Sequence, residues 1–316
     1  MKYAAKRIAM LLVTMVVVSF LAFLAFSVIA GDPAEMMLGT EATPEALAAL
    51  RAELGLDRPF LVRYGDWLAG FVTGDLGTSY QYYQPVGQLL GGKILVTLCL
   101  SLLSFVIITV VSIPLGIRAA RWEGGLAGAA ATTSNQLFMA IPPFFTGMIL
   151  SWVFGIMLHW FTPGAFPDMK LQFGVAMKHL LFASVAIAIP HIAMTVRMLR
   201  STIRAEQRKS YVRTAISRGN DRTAVLTRHV LKNSLVPVVT FLAQTMAEIV
   251  AGGIVVEQVF GIPGLGRMLV VSIANRDYPV VQAIVVILAF WVVLAGTVAD
   301  LVNARIDPRL QLGGDA

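Results

Sequence analysis

A chain of 316 residues that is 57% hydrophobic and 14% charged is far from the roughly 25% charged residues of soluble domains, so its solvent must be the bilayer. The net charge of +7 suggests nucleic acid at first sight, but most of the excess lies in one inter-helical loop, which is the pattern of positive-inside topology. Cys99, the single cysteine, sits in an apolar run and excludes an intrachain disulfide or a cysteine metal site.

Six apolar runs follow in chain order at 8–30, 94–117, 135–161, 178–198, 236–256 and 280–301, each long enough to cross the hydrocarbon core as a helix. The first has the basic flank of a signal peptide (Lys2, Lys6, Arg7). Its apolar run is too long for one, and Ala30-Gly31-Asp32-Pro33 is a poor cleavage site, so it reads as an uncleaved signal anchor. Residues 31–93 hold eight acids against four bases, which suits the outside. Arg118, Arg121, Arg305 and Arg309 suit the inside. The predicted fold is an all-α polytopic membrane protein of six transmembrane helices with cytoplasmic N and C termini.

The outside segment carries helix signals. Thr43-Pro44-Glu45 reads as N-cap, proline at N1 and an acid in the first turn, with Gly55 as the stop. A second helix fits 59–73, with Phe60, Tyr64, Trp67, Leu68 and Phe71 on one stripe and Gly74 as its cap. It is too short to span and is expected on the outer surface of the bilayer or of the spans, as a packing element or as a docking surface for an external partner.

Between the fourth and fifth spans, Arg197 to Lys232 carry ten basic residues against Glu206 and Asp221. This loop is expected in the cytoplasm, as two helices joined at Gly219. The first is predicted over 201–218, with Tyr211, Ala215 and Ile216 facing inward. The second is N-capped by Asn220 or Asp221 and carries Val225, Leu226, Val230 and Leu231, with Pro237 at the start of the fifth span. No phosphate-binding glycine loop, metal-spaced histidines or catalytic set occurs here, and His229 alone reads as structural. A lever without chemistry points to a motor on another chain.

Charge inside a span is costly and marks function. Gln244 and Glu248 share one face of the fifth span. They either line a translocation path that could meet a substrate ammonium, or make an inter-helix or inter-subunit contact. Glu257, Phe260, Pro263 and Gly264 lie in a glycine- and proline-rich stretch that favours a re-entrant turn, read as an outer gate or docking edge. Pro142-Pro143 and Pro190 kink the third and fourth spans, and His191 reads as hydrogen-bonded across helices, with a proton relay as the alternative, to which no acidic chain leads. A secondary transporter would need midplane coupling residues and often inverted repeats; no repeat is evident.

Tyr211-Val-Arg-Thr-Ala-Ile-Ser-Arg-Gly219 and Arg228-His-Val-Leu-Lys-Asn-Ser-Leu-Val-Pro237 resemble the cytoplasmic "EAA" region of ABC-importer permeases. The resemblance is to the peptide/nickel branch, which includes dipeptide and oligopeptide permeases. Leu54-Gly-Leu-Asp-Arg-Pro59, Gly74-Asp-Leu-Gly-Thr-Ser79, Val256-Glu-Gln-Val-Phe-Gly-Ile-Pro-Gly-Leu-Gly266, Arg276-Asp-Tyr-Pro-Val-Val-Gln282 and Asp307-Pro-Arg309 agree with that branch, so the likeness runs nearly the whole chain. Arg213-Thr214 replaces the pattern's Glu-Ala pair, and the closing proline comes late, at Pro237.

The resemblance implies a type I importer fold, with an N-terminal anchor (1–30), an extracytoplasmic helical segment (31–93), a permease core (94–306) holding a coupling loop (199–235), and a cytoplasmic tail (307–316). It implies a multi-pass subunit of the bacterial inner membrane that takes up di- or oligopeptides, with nickel chelates, glutathione or another small solute as the alternative. The chain itself would not be an enzyme. It would pair with a second, homologous permease as a heterodimer, with two cytoplasmic ABC ATPases and with an extracytoplasmic substrate-binding protein. It would touch membrane lipid but no nucleic acid. It would bind no cofactor or metal; ATP and Mg belong to the ATPases. ATPase coupling would fall to Tyr211, Ala215, Gly219, Asn220, Asp221, Val225, His229 and Asn233, with the docking helix at about 220–235.

Overall fold

The computed structural model describes residues 2–29, 33–39, 43–121 and 125–306. The expected tail at 307–316, with Asp307-Pro-Arg309, lies outside the described residues. Every regular element among them is helical: α1 Lys2–Ile29, α2 Pro33–Leu38, α3 Pro44–Glu53, α4 Phe60–Thr73, α5 Val86–Arg121, α6 Gly125–Ala140, α7 Pro143–Leu150, α8 Phe173–Gln207, α9 Ser210–Ser217, α10 Arg222–Val225, α11 Leu231–Phe260, α12 Leu265–Ala274 and α13 Tyr278–Ile306, with π-helical segments at Ser151–Met157 and Leu226–Val230. Five stretches are long and apolar enough to cross a membrane: Ala4–Val28, Val86–Arg121, Phe173–Gln207, Thr223–Phe260 and Tyr278–Ile306.

The third span differs from its expected form. Gly128–Ala140 and Pro143–Met157 meet at a bend of 92°, so they make a sixth span only as a broken pair. The cause is the double proline. Pro142 is extended (φ −65°, ψ 145°) and starts α7 with Pro143 at N1. A proline also disfavours helical backbone in the residue before it, so Pro142-Pro143 forces a break instead of a kink. Pro114 and Pro190, in contrast, lie inside the unbroken helices α5 and α8.

The chain divides into two compact units. One comprises residues 1–8, 98–262 and 294–316. Its core is α8, which packs against α6, α7 and α11. Leu180, Ala183, Ala186, Ile187, Leu199 and Ile203 are fully buried there. Small residues let the backbones approach, as membrane helices require. A Cβ on Gly116 would stand 2.7 Å from Leu199 Cδ2, and one on Gly147 would stand 3.1 Å from the Phe260 ring. Cross-helix bonds add specificity: Asn135 Nδ2 donates to the Ala193 carbonyl (2.9 Å), Asn303 Nδ2 to Thr240 Oγ1 (2.7 Å), and Arg7 pairs with Asp300 (2.8 Å).

The second unit comprises residues 9–97 and 263–293. Its helix starts and stops match the sequence signals. Thr43 Oγ1 accepts from the Ala46 amide (3.2 Å), and Gly74 closes α4 in the left-handed conformation (φ 93°). The apolar stripe of α4 packs on α1. Phe20 and Phe23 meet Phe60 and Tyr64 at ring-centroid distances of 5.2–5.9 Å, and the Tyr64 hydroxyl donates to the Val16 carbonyl (3.2 Å). The helix is thus a packing element against the first span.

At Gly261 (φ +67°) an added Cβ would fall 2.5 Å from Gly164 Cα, a backbone atom that cannot swing away. At Gly219 (φ +85°) the space is open. Gly219→Ala is expected to cost about 1–2 kcal/mol for the left-handed backbone alone, and Gly261→Ala more. Thermal unfolding in detergent should rank them wild type, Gly219→Ala, Gly261→Ala in falling midpoint; equal midpoints would contradict the packing at Gly164.

Candidate functional site: a coupling cluster and a membrane acid

The loop begins differently from its predicted form. α8 runs on to Gln207 and the chain breaks at Arg208-Lys209 before α9, so no single helix covers 201–218. Lys209 is extended (φ −72°, ψ 150°). Val212 is the buried residue of α9, Tyr211 and Ala215 are half-buried, and Ile216 is exposed. Gly219 ends the segment in the left-handed conformation (φ +85°). Asn220 and Asp221 divide the capping work: Asn220 Nδ2 donates back to the Ala215 carbonyl (3.0 Å), and Asp221 Oδ2 accepts from the amides of Thr223 and Ala224 (2.9 and 3.2 Å).

The second loop helix is not a separate piece. α10 passes through a π-helical turn, Leu226–Val230, directly into α11, with helical backbone at Val225, Val230 and Leu231. Pro237 lies inside α11 and does not start it. The wider π turn absorbs one residue without breaking the rod. Val225, Leu226 and Val230 are buried, while His229 is exposed. The docking segment expected at 220–235 is therefore the first part of the same rod that forms the fifth span.

One carboxylate ties these elements together. Glu206, near the end of α8, is hydrogen-bonded by the Tyr211 hydroxyl of α9 (2.7 Å), by Asn233 Nδ2 of α11 (3.1 Å) and by Lys209 Nζ (2.6 Å). Asn233 Nδ2 also reaches the Tyr211 oxygen (3.2 Å). Hydrogen bonds to an ionised acceptor are roughly twice as strong as neutral ones. Burial pushes the Tyr211 phenol up from its ordinary value of 10.0, and its bond to Glu206 pushes the same way. Its stabilising contribution is thus complete below the unfolded phenol's pKa and is lost only as pH rises through the folded value. Tyr211 and Asn233 are among the residues expected to serve ATPase coupling; Glu206 is not, registering in the sequence only as an acid in a basic loop.

In the membrane, Gln244 and Glu248 are exposed on one face of α11. Glu248 Oε2 lies 3.3 Å from His191 Nε2 of α8; the side chains are 52% and 6% exposed. His191 Nδ1 is 2.7 Å from the Ile187 carbonyl, which can only accept, so Nδ1 carries a proton. A bond between Nε2 and Glu248 then needs a second proton, on the ring or on the carboxyl. The acid beside His191 escaped sequence reading because 57 positions separate them in the chain while both lie on facing helices.

Glu257 and Phe260 are fully buried at the end of α11. The Phe260 ring stacks with Phe161 (5.7 Å), and its carbonyl is capped by His179 Nε2 (3.3 Å) and the Gly164 amide (3.3 Å). α11 stops at Gly261, so the stretch breaks where its glycines and proline predicted. In the second unit, exposed Pro263 and buried Gly264 precede α12, whose Leu265 amide donates to Thr97 Oγ1 (2.7 Å). There Asp277 is fully buried and accepts from Ser79 Oγ and the Tyr80 amide, joining two segments of the family resemblance across 198 residues.

Comparison with known proteins agrees with this architecture. Residues 112–312 match the model of the family described as binding-protein-dependent transport system inner membrane component, and residues 1–101 match its N-terminal counterpart. The chain belongs to the ABC-importer permeases of the peptide/nickel family. It is 32% identical to a probable peptide ABC transporter permease of Sinorhizobium fredii, over 98% of this chain and 99% of that one. It is 34% identical to a putative peptide transport system permease of Brucella abortus (97% and 98% covered). It is 32% identical to the glutathione transport system permease GsiC of Salmonella typhi (98% and 99%). As a permease of this family it is a multi-pass transport component of the bacterial inner membrane.

Because three donors share Glu206, losses there should not add. Glu206→Gln and Tyr211→Phe are each expected to destabilise the permease by about 1–3 kcal/mol. The double variant should fall short of their sum by a coupling energy on the order of 1 kcal/mol in thermal unfolding; strict additivity would deny the shared site.

Proposed function

We propose that this chain is the translocating subunit of an ATP-driven importer of di- or oligopeptides, worked by separate ATPases through the loop centred on Gly219. The observation that carries this is the Glu206 cluster. It bonds the end of the fourth span, α9 and the first part of the fifth-span rod to one carboxylate, so a push on the loop is delivered to two spans at once. The peptide reading is supported by the names of the relatives in Sinorhizobium and Brucella. Glutathione uptake is the second reading, favoured by the likeness to GsiC.

In this reading the basic loop and both termini face the cytoplasm, where two ABC ATPases dock. A second permease completes the pathway, and a binding protein delivers the peptide outside. ATP-driven closure biases a two-state equilibrium between inward- and outward-open forms. Tyr211, Ala215, Gly219, Asn220, Asp221, Val225, His229 and Asn233 serve coupling. Gln244 and Glu248 line the path, with His191 holding the Glu248 carboxyl against α8. Glu257, Phe260, Pro263 and Gly264 serve the outer gate or the docking of the binding protein. The chain binds no cofactor; ATP and Mg sit on the ATPases.

Valine at Gly219 adds a β-branched side chain where φ is +85°, so the turn must rearrange although nothing blocks the side chain. Gly219→Val is expected to insert and assemble normally yet hydrolyse ATP with little uptake; transport at the wild-type rate would refute the lever. Substrate is read with the assembled transporter in proteoliposomes. Binding protein loaded with peptide should stimulate ATP hydrolysis, and binding protein loaded with a nickel chelate should not. Stimulation by nickel alone would overturn the peptide reading.

A further inference from the structure

The face of α8 that follows its apolar stretch carries Arg197, Arg200 and Arg204, and Arg208 caps the helix end, at spacings of three and four residues, so the four guanidiniums form one row. With Thr132 of α6 and Ser201 they line a groove of about 470 Å³. Arg200 is fixed in it: Nη1 donates to Thr132 Oγ1 (2.7 Å), and that hydroxyl in turn donates to the Gly128 carbonyl (2.8 Å). The partner of Arg200 is neutral, so its charge is oriented but not cancelled. The Nε of Arg200 is buried without a hydrogen-bond partner among the described residues. Among those residues no carboxylate lies within ion-pair distance of Arg197, Arg200 or Arg208. Partly buried charges are normally paired; Arg197, Arg200 and Arg208 instead present forked donors without a neighbouring carboxylate among the described residues, in a concave site.

We propose that the groove binds the phosphodiester headgroup of an anionic membrane lipid. The chemistry is that of phosphate: arginine forks match its oxygens two at a time, and Ser201 offers a further donor. Two features favour a lipid over phosphate in solution. The row begins where the apolar, buried run of a membrane-spanning helix ends, which is the depth of headgroups. α6, which contributes Thr132 to the groove, exposes Leu126 (92%), Leu137 (63%) and Phe138 (50%) on its other faces, an apolar surface outside the groove that acyl chains can cover. A lipid held there would bridge α6 and α8 beside the start of the coupling loop.

The test uses the assembled transporter in nanodiscs of phosphatidylcholine doped with phosphatidylglycerol, with retained lipid read by native mass spectrometry after detergent extraction. Wild type is expected to keep phosphatidylglycerol saturably, and R200Q/R204Q is expected to lower retention about tenfold. R213Q/R218Q removes the same charge from exposed residues of the loop and should retain lipid as wild type does. If R200Q/R204Q cannot be purified, R197Q/R208Q, at exposed positions, carries the same expectation. Equal loss in the loop control would reduce the effect to general electrostatics and overturn the site. Complete displacement by inorganic phosphate at matched ionic strength would assign the groove to free phosphate. Retention by the permease pair without its ATPases but not by the assembled transporter would make the groove a protein contact. Either outcome overturns the lipid.

Discussion

The arrangement of the loop between the fourth and fifth spans of this permease depends on one carboxylate finding three donors. Glu206 sits near the end of α8, a helix long and apolar enough to span a membrane, and its side chain is only 10% exposed. A charge so placed costs free energy unless it is hydrogen-bonded on every side. Lys209, Tyr211 and Asn233 supply that, and because they come from the turn, from α9 and from α11, satisfying the acid also fixes the loop. The break at Arg208-Lys209 lets the chain turn back so that Tyr211 can reach Glu206.

The continuity of α10, the π turn and α11 gives that cluster its reach. A rod from Thr223 to Phe260 carries buried Val225 near one end and buried Phe260 at the other. Glu248 and Gln244 lie on it between them. In the proposed lever, motion imposed at Asn233 would reach the acid that meets His191 and the aromatic stack at Phe161. The glycines at 261 and 164, in near backbone contact, mark where the rod ends.

Local signals along the chain were readable because their causes are local. Caps at Thr43, Gly74, Gly219 and Asp221 depend on a residue and its next few neighbours, and the α4 stripe follows from helical period. Pro142-Pro143 was read as a kink because composition across the third span is uniformly apolar; the 92° bend depends on backbone freedom that hydropathy does not record. The fusion of the second loop helix with the fifth span was missed because Pro237 resembles a helix start, whereas a proline inside a membrane helix is tolerated. Glu206, the Glu248–His191 contact and the Ser79–Asp277 bond were hidden for a different reason: each joins residues far apart in the chain, and nothing in either partner's neighbourhood names the other.

Rigid transmission through the Glu206 cluster is best examined by spin-label distances in the assembled transporter during ATP turnover, with nitroxides at Ser217 on α9 and Ala251 on α11, both exposed positions. If α9 and the fifth-span rod move as one body, a single distance distribution should persist in the resting, ATP-bound and turnover states. A shifted or second peak on ATP binding would show that the loop slips against the rod, and force could not pass as described.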